Sequence, residues 1–140
     1  MGQQARDIFT QSVPAAPSAV TAFRGVDFTG AQIATAGAKC MGIAKRSAST
    51  GQSFEVAVLG SAVCEAGAAI TVGQPLALDA QGRVVPASSL AIAAGATAVT
   101  SAAANGATDL TGGVLPQWVV GDALEAAAGA GSLIEVLLAR

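Results

Sequence analysis

Residues 42–59 read GIAKRSASTGQSFEVAVL, and residues 121–138 read GDALEAAAGAGSLIEVLL. Each stretch begins with a Gly-x-Ala triplet and continues through small or polar residues to a second glycine. A Glu-Val pair follows four residues after that glycine in both stretches. A glycine turn between two such segments is typical of a β-hairpin, because glycine adopts the positive φ that tight turns require. The repeated pattern therefore predicts two related hairpins in a small all-β protein.

Short apolar segments separated by turn residues fill the chain around the first hairpin. Residues 54–58 alternate in polarity and place Phe, Val and Val on one face, which is typical of a strand with one buried side. Gly60 is expected to break this strand before a second one resumes. The pattern predicts a single β domain over residues 20–140, built from hairpins as a small β-barrel or β-tulip-like body.

Two segments depart from the strand pattern. Residues 1–19 are mostly polar and contain prolines, each of which fixes φ and removes a hydrogen-bond donor. We therefore expect an extended N-terminal arm that is either disordered or lies across a neighbouring molecule. Residues 87–113 are almost wholly small and predict a long insertion with one or two short strands. Long loops often carry function, and since this one has no catalytic residue, we expect it to contact a partner.

Composition favours a protein whose surface is buried in an assembly. Hydrophobic residues make up 52% of the chain, but much of this is alanine, and charged residues make up only 11%, against roughly 25% in an ordinary soluble domain. Burial of alanine stabilises a fold less than burial of leucine or phenylalanine, because the gain follows the apolar area removed from water. The core of a monomer would be thin. We expect contact with copies of the same chain or with a larger scaffold.

The residue types exclude most catalytic chemistry. The chain has no histidine and no tyrosine, which removes histidine-based general-base catalysis, Ser-His-Asp and Cys-His nucleophiles and nearly all structural zinc sites. The nine carboxylates do not form a calcium-loop motif. Glu55 and Glu135 are expected to be solvated, which leaves a carboxylate pair as only a formal catalytic possibility. We expect no enzyme, no cofactor and no bound metal.

Charge and hydropathy also limit the partners. The net charge is −2 and the longest basic run is Lys45-Arg46, so we expect no nucleic-acid partner. No apolar stretch reaches the roughly 18 residues of a membrane helix, and no membrane partner is expected. The N-terminal residues lack the order of a signal peptide. Synthesis and residence in a cytoplasm fit this sequence best.

Three residues leave alternatives open. Cys40 and Cys64 are interpreted as small buried hydrophobic residues, with a disulfide or a reactive thiol as the other possibilities. Trp118 lies between a proline and two valines, and such a residue is interpreted as a core or interface anchor. The alternative is a platform on which a sugar ring stacks.

The sequence VGQPLALDAQGRVVPA at residues 72–87, followed by GDALEAAAGAGSLIEVLL at residues 121–138, resembles the head-decoration or capsid cement proteins of tailed bacteriophages. Their usual cadence is V-x-x-G-x-P-V-x-x-D-x-x-G-x-V-x-P-A, a spacer, and then G-x-A-L-E-A-A-x-A-G-x-x-V-x-V-x-L. The resemblance covers most of residues 63–139 apart from the spacer. It departs at Asp122, where an apolar residue is common.

The resemblance implies a β-barrel-like or β-tulip body without enzymatic activity. Proteins of this kind sit on the outer surface of the virion head, often as homotrimers, and bind the major capsid protein. This chain would then be made in the cytoplasm of the host bacterium and would stabilise the capsid lattice. The candidate interface residues are Ile8, Phe9, Val13, Pro14, Pro17 and Trp118.

Two other classes of function stay open from the sequence. One is a different phage structural part, such as a tail-tube, head-completion or fibre-base protein, which ring stoichiometry would distinguish from a trimer. The other is a host-surface or carbohydrate-binding module. Such a module usually presents a cluster of exposed aromatic residues, and the chain has only four phenylalanines and one tryptophan.

Overall fold

The computed structural model describes residues 5–88, 101–104, 107–110 and 117–138. These ranges contain β-strands and no helix. The strands are β1 (Asp7–Val13), β2 (Gly25–Val26), β3 (Gly42–Ala44), β4 (Phe54–Glu65), β5 (Pro75–Leu78), β6 (Val84–Pro86), β7 (Ser101–Ala104), β8 (Ala107–Leu110), β9 (Gly121–Ala123) and β10 (Leu133–Leu138). Across the described residues, no helix is long and apolar enough to span a membrane.

Eight of the strands form one antiparallel sheet in the order β2-β3-β4-β10-β9-β5-β6, with β1 also paired to β4. This sheet curls into a nearly closed barrel, which confirms the predicted all-β fold. Strands β7 and β8 pair only with each other among the described residues. They agree with the short strands predicted for residues 87–113, and the rest of that segment lies outside the described residues.

The two predicted hairpins are present and share one register. In the β3–β4 hairpin, Ala44 lies opposite Val56. In the β9–β10 hairpin, Ala123 lies opposite Val136. The turn of each hairpin contains a glycine at positive φ, 83° in the first and 86° in the second. The Gly-x-Ala and Glu-Val positions therefore occupy the same places in both hairpins.

The repetition extends beyond the hairpins to the strands that precede them. Strand β2 pairs with β3 through Val26 and Gly42, and β5 pairs with β9 in the same way through Leu76 and Gly121. We call residues 7–59 the first repeat, which contains β1, β2, β3 and the first part of β4. Residues 61–88 and 117–138 form the second repeat, which contains the rest of β4 together with β5, β6, β9 and β10.

Contacts outside the strands follow the same correspondence. Val20 bridges Ala48 in the first repeat, and Ile70 bridges Ala127 in the second. Each bridge is closed by two backbone hydrogen bonds of 2.8–3.0 Å. The two halves of the chain therefore have one backbone plan, and the insertion between β6 and β9 belongs only to the second half.

Gly60 does not end the strand, so the prediction of a break at this residue is wrong. Strand β4 continues through Gly60, whose φ of 104° lies in a region that favours glycine. A Cβ at this position would overlap the carbonyl oxygen of Arg6. Before Gly60 the strand pairs with β3 and β1, and after it with β10. The glycine therefore joins the two repeats within one strand.

The N-terminal segment pairs within its own chain. Residues Asp7–Val13 form β1 antiparallel to β4, so the prediction of an arm that is disordered or lies across a neighbour is wrong for these residues. The segment is extended, as predicted, and most of its side chains are exposed. The division of the chain at residues 19 and 20 stays a prediction.

Each repeat has its own hydrophobic core. The first repeat encloses a small cluster around the fully buried Phe54, and the second encloses a larger one around Leu76 and Ile134. The larger cluster also contains Ile43 and Ala57 from the first repeat. Because Val56 packs in the first core and Ala57 in the second, the sheet of the first repeat lies between the two cores.

Candidate functional site

An open groove of about 330 Å³ lies beside β1 on the first repeat. Its walls are mostly apolar and carry two exposed aromatic rings. We call it the aromatic groove, and its lining residues are Phe9, Gln11, Ser12, Val13, Pro14, Phe28, Thr29, Gly30, Met41 and Val58. Ordinary monomers expose few contiguous apolar surfaces of this kind, so the groove is the leading candidate for a binding site.

The structure brings together three of the six predicted interface residues. Phe9, Val13 and Pro14 all line the aromatic groove. Pro17 lies just outside, close to the position that a side chain on Gly30 would occupy. Ile8 is on β1 but does not line the groove, and it is the most exposed of the large apolar residues described, at 79%.

A tight turn presents Phe28 at the opposite wall. The carboxylate of Asp27 accepts hydrogen bonds from the backbone N–H groups of Thr29 at 2.8 Å and Ala31 at 3.0 Å, and from the Thr29 hydroxyl at 2.6 Å. Partial burial alone would raise the pKa of Asp27, but these hydrogen bonds outweigh it and hold the pKa below its ordinary value. The ionised carboxylate therefore fixes the turn that exposes Phe28.

Lys39 connects the groove to Trp118. Its ammonium lies 5.8 Å from the ring centre of Phe28 and 4.9 Å from that of Trp118. Both distances fall within the range of a cation–π contact. Trp118 is exposed, so its interpretation as a core residue is wrong, whereas a role as an interface anchor stays a prediction. Phe28, Met41 and Lys39 were not among the interface residues predicted from the sequence.

Trp118 is positioned by the turn at Gly37. The Trp118 N–H donates to the Gly37 carbonyl at 3.1 Å, and Gly37 has a φ of 73°. A Cβ on Gly37 would lie 3.0 Å from the Gln117 side chain, so little space remains for another residue. The Gln117 amide oxygen also accepts a hydrogen bond from the Ser88 N–H at 2.9 Å. This bond holds together the two points where the insertion leaves and rejoins the barrel.

Strand β1 is attached to the barrel by polar contacts near its start. The Asp7 carboxylate accepts hydrogen bonds from the Lys45 ammonium at 2.7 Å and the Thr10 hydroxyl at 2.6 Å. These two contacts lower the pKa of Asp7 to about 2. Ser61 exchanges two further bonds with the backbone of Arg6, at 2.9 and 3.1 Å. The position of one wall of the groove therefore depends on these contacts.

Glu135 is buried, so the prediction that it is solvated is wrong. The Ser61 hydroxyl donates a 2.5 Å hydrogen bond to its carboxylate. Glu55, at the matching place in the first repeat, has a half-exposed side chain paired with Arg46 at 3.0 Å, in agreement with the solvated position predicted for it. The two glutamates of the repeated motif therefore have different surroundings.

The described residues offer little further chemistry. They contain no group of three or more histidine, cysteine, aspartate or glutamate residues placed to hold a metal ion. Cys40 and Cys64 are buried thiols in the larger core, in agreement with their interpretation as small buried hydrophobic residues. Burial, with a smaller contribution from Cys40, raises the pKa of the Cys64 thiol far above its ordinary value, which suppresses thiolate reactivity.

Comparison with known proteins places these features in a phage context. The family model described as phage cement protein matches residues 4–138. Among solved structures, the chain is similar to the head fiber gp8.5 N base of bacteriophage phi29, with a TM-score of 0.62 and 20% sequence identity over 94% of this chain and 96% of that one. At this identity the similarity concerns the fold. No curated protein matches the chain.

Proposed function

The chain belongs to the phage cement protein family, and on that premise we propose that it binds the outer surface of the assembled head and holds neighbouring copies of the major capsid protein together. The observation that carries this proposal is the match to the cement family over residues 4–138. A capsid decoration role also fits a surface that is low in charge and exposes apolar side chains.

Strand β1 is the part of the molecule that we propose to contact the capsid. Five of its seven residues are exposed, and among the described strands it pairs only with β4. A strand with an unpaired edge can add to the sheet of a partner. Ile8 provides an exposed apolar side chain on this strand. The residues before β1 would extend the contact.

Self-association would strengthen binding to a repetitive surface. We propose a homotrimer, in which each assembly engages up to three capsid sites. Linked sites raise the effective concentration of the second and third contacts, so weak single contacts give tight overall binding. The aromatic groove and Trp118 are the surface that supports this part of the proposal, because they expose apolar area next to β1.

We propose that the chain catalyses no reaction. The absence of histidine from the whole sequence supports this, as does the burial of the Cys64 thiol. The role would then be mechanical, with the protein made in the cytoplasm of the host and added to the completed shell.

A fibre base is the second candidate, favoured by the similarity in fold to the phi29 head fiber base. A fibre base would also be attached to the head, but would carry a further protein. Co-purification of a longer fibre protein with decorated heads would support this alternative, and fully decorated heads without such a protein would oppose it.

The test is binding to expanded empty heads that lack this protein. Ile8→Glu places a charge on β1 and is expected to weaken co-sedimentation with heads by roughly tenfold or more, because an unpaired charge would be buried at the contact. Val72→Glu is the matched control, since Val72 is also largely exposed but lies in the turn before β5. Equal binding by both variants and the unmodified protein would show that β1 is not the contact.

A further inference from the structure

Five positions of the first core correspond to positions of the second core. Val20, Val26, Ala44, Ala48 and Val56 in the first core match Ile70, Leu76, Ala123, Ala127 and Val136 in the second, through equivalent backbone pairs. The two cores differ beyond these five positions. The second core continues through further apolar residues, whereas the first stops at the aromatic groove.

The residues around the groove are the counterparts of buried residues. Met41 donates its N–H to the Val26 carbonyl at 2.7 Å, and Val120 donates to the equivalent Leu76 carbonyl at 2.8 Å. Val120 is buried, while Met41 is only partly buried. Val58 is partly buried in the same way, whereas its counterpart Leu138 is buried. The aromatic groove therefore lies at positions whose counterparts in the second repeat are covered.

The cover of the second core comes from the first repeat. Cys40, Ile43 and Ala57 lie on the back of the first sheet and are buried in the larger cluster with Leu78 and the rest of the second core. This packing is the internal interface between the repeats. The back of the first sheet and the surface of the second core around Leu78 are therefore complementary within one chain.

The back of the second sheet carries the matching positions, and among the described residues their side chains are exposed. Leu137 lies opposite Asp122, as Ala57 lies opposite Ile43. Leu137 is 47% exposed, whereas Ala57 is buried. Val119, two residues before β9, is the counterpart of Cys40 and is also exposed. We call Val119, Asp122 and Leu137 the back face.

We propose that the back face of one copy covers the aromatic groove of the next copy, in a head-to-tail contact that continues the internal interface between repeats. The occupant of the groove is therefore a second copy of this chain. The inference rests on the self-association included in the proposed function and names its two surfaces. Because the contact joins two different surfaces, a dimer leaves one groove and one back face unused. Every groove and every back face is occupied only when the copies form a closed ring.

Asp122 takes the place of Ile43 and makes this contact weaker than the internal one. A carboxylate in an apolar contact opposes its burial, so the subunits exchange readily. Asp122→Ile restores the residue type of the internal interface. It is expected to tighten self-association by roughly tenfold.

The pairing is tested by mixing two variants with opposite defects. Phe28→Glu disables the groove and Leu137→Glu disables the back face, and both residues are exposed enough for the monomer to fold. Light scattering is expected to show concentration-dependent oligomers for the unmodified protein and monomers for each variant alone. An equimolar mixture should form 1:1 dimers and nothing larger, because one functional groove and one functional back face remain.

Each other outcome overturns the head-to-tail contact. Variants that associate like the unmodified protein would show that these surfaces are not used, and a mixture that stays monomeric would show that they do not pair with each other. A monomeric unmodified protein at its highest soluble concentration would also overturn it. Val72→Glu serves as the control and should associate normally. Normal head binding by either variant would leave the proposed function standing, since that assay reports on β1.

Discussion

The two repeats share one pattern of backbone hydrogen bonds. The core of the second repeat is covered, whereas the core of the first is open at the aromatic groove. In the second repeat, Val120 and Leu138 are buried in the larger core. In the first repeat, their counterparts Met41 and Val58 border an open groove. Side chains at equivalent backbone positions of the two repeats are therefore not equally buried. A residue becomes core or surface according to whether another layer covers it, and in a single chain only one of the two repeats receives a cover.

The largest effect should separate Leu78 from Phe28. Leu78→Ala removes a fully buried side chain and is expected to lower the free energy of unfolding by about 2–5 kcal/mol, from lost burial and a residual cavity. Phe28→Ala is expected to change it by less than about 0.5 kcal/mol, as for other surface substitutions. Urea unfolding followed by tryptophan fluorescence measures both. Equal losses would show that Phe28 is as buried as Leu78, which would contradict an open groove beside Phe28.

A smaller effect should be shared by both repeats, because it depends on the backbone plan. A Cβ on Gly42 would overlap the carbonyl oxygen of Ala57, and one on Gly121 would overlap that of Leu137. Alanine at either glycine is expected to cost roughly 1–3 kcal/mol of unfolding free energy, since the strands must shift apart.

The turn glycines provide the matched controls for this pair. Gly51 and Gly131 have positive φ and no neighbouring atom within 4 Å of an added Cβ. Alanine there should cost only about 1 kcal/mol, from backbone strain without overlap. If Gly42→Ala were tolerated while Gly121→Ala was not, the β3–β4 and β9–β10 pairings would not be equivalent.

Much of the repeated backbone structure could be predicted from the sequence, but only where the two repeats have identical residues. The Gly-x-Ala and Glu-Val positions identified both hairpins. The equivalence of Val20 with Ile70 was missed, because their neighbouring residues differ and the insertion changes the spacing. The solvated position predicted for Glu135 was wrong because alternation within β10 does not reveal Ser61 on β4.

The candidate site was less predictable than the fold. Phe9, Val13 and Pro14 were identified as interface residues and line the groove, yet the reason lies in the pairing of β1 with β4, which the sequence did not indicate. Phe28 resembles an ordinary strand residue in the sequence. Its exposure results from the Asp27 turn, which places it outside β2.

The smallest expected effect on stability concerns the attachment of the first strand in each repeat. In the second repeat that strand is the continuation of β4, whereas in the first it is β1, attached in part by the Asp7–Lys45 ion pair. Because the folded pKa of Asp7 is lowered to about 2, its ionised form stabilises β1 above about pH 4. This contribution is lost as the pH falls from about 4 through 2. It is worth less than about 1 kcal/mol, because the pair is partly exposed.

Hydrogen exchange at β1 during acidification measures this loss. The backbone amides of β1 should exchange faster, relative to those of β10, between pH 4 and 2 after correction for intrinsic rates. Asp7→Asn should remove most of the pH dependence, whereas Glu55→Asn, at a solvent-exposed ion pair, should leave it in place. A profile unchanged by Asp7→Asn would show that this pair does not hold the strand.

Completion of the open repeat on the head is tested by comparing hydrogen exchange in the dilute protein with exchange in protein bound to expanded heads. We expect three regions to gain protection together: β1, the Asp27 turn beside the groove, and the back face around Val119 and Leu137. Amides of the closed second core should change little. Protection confined to β1, with the groove and the back face exchanging as in the free protein, would contradict the claim that the open repeat is completed on the head.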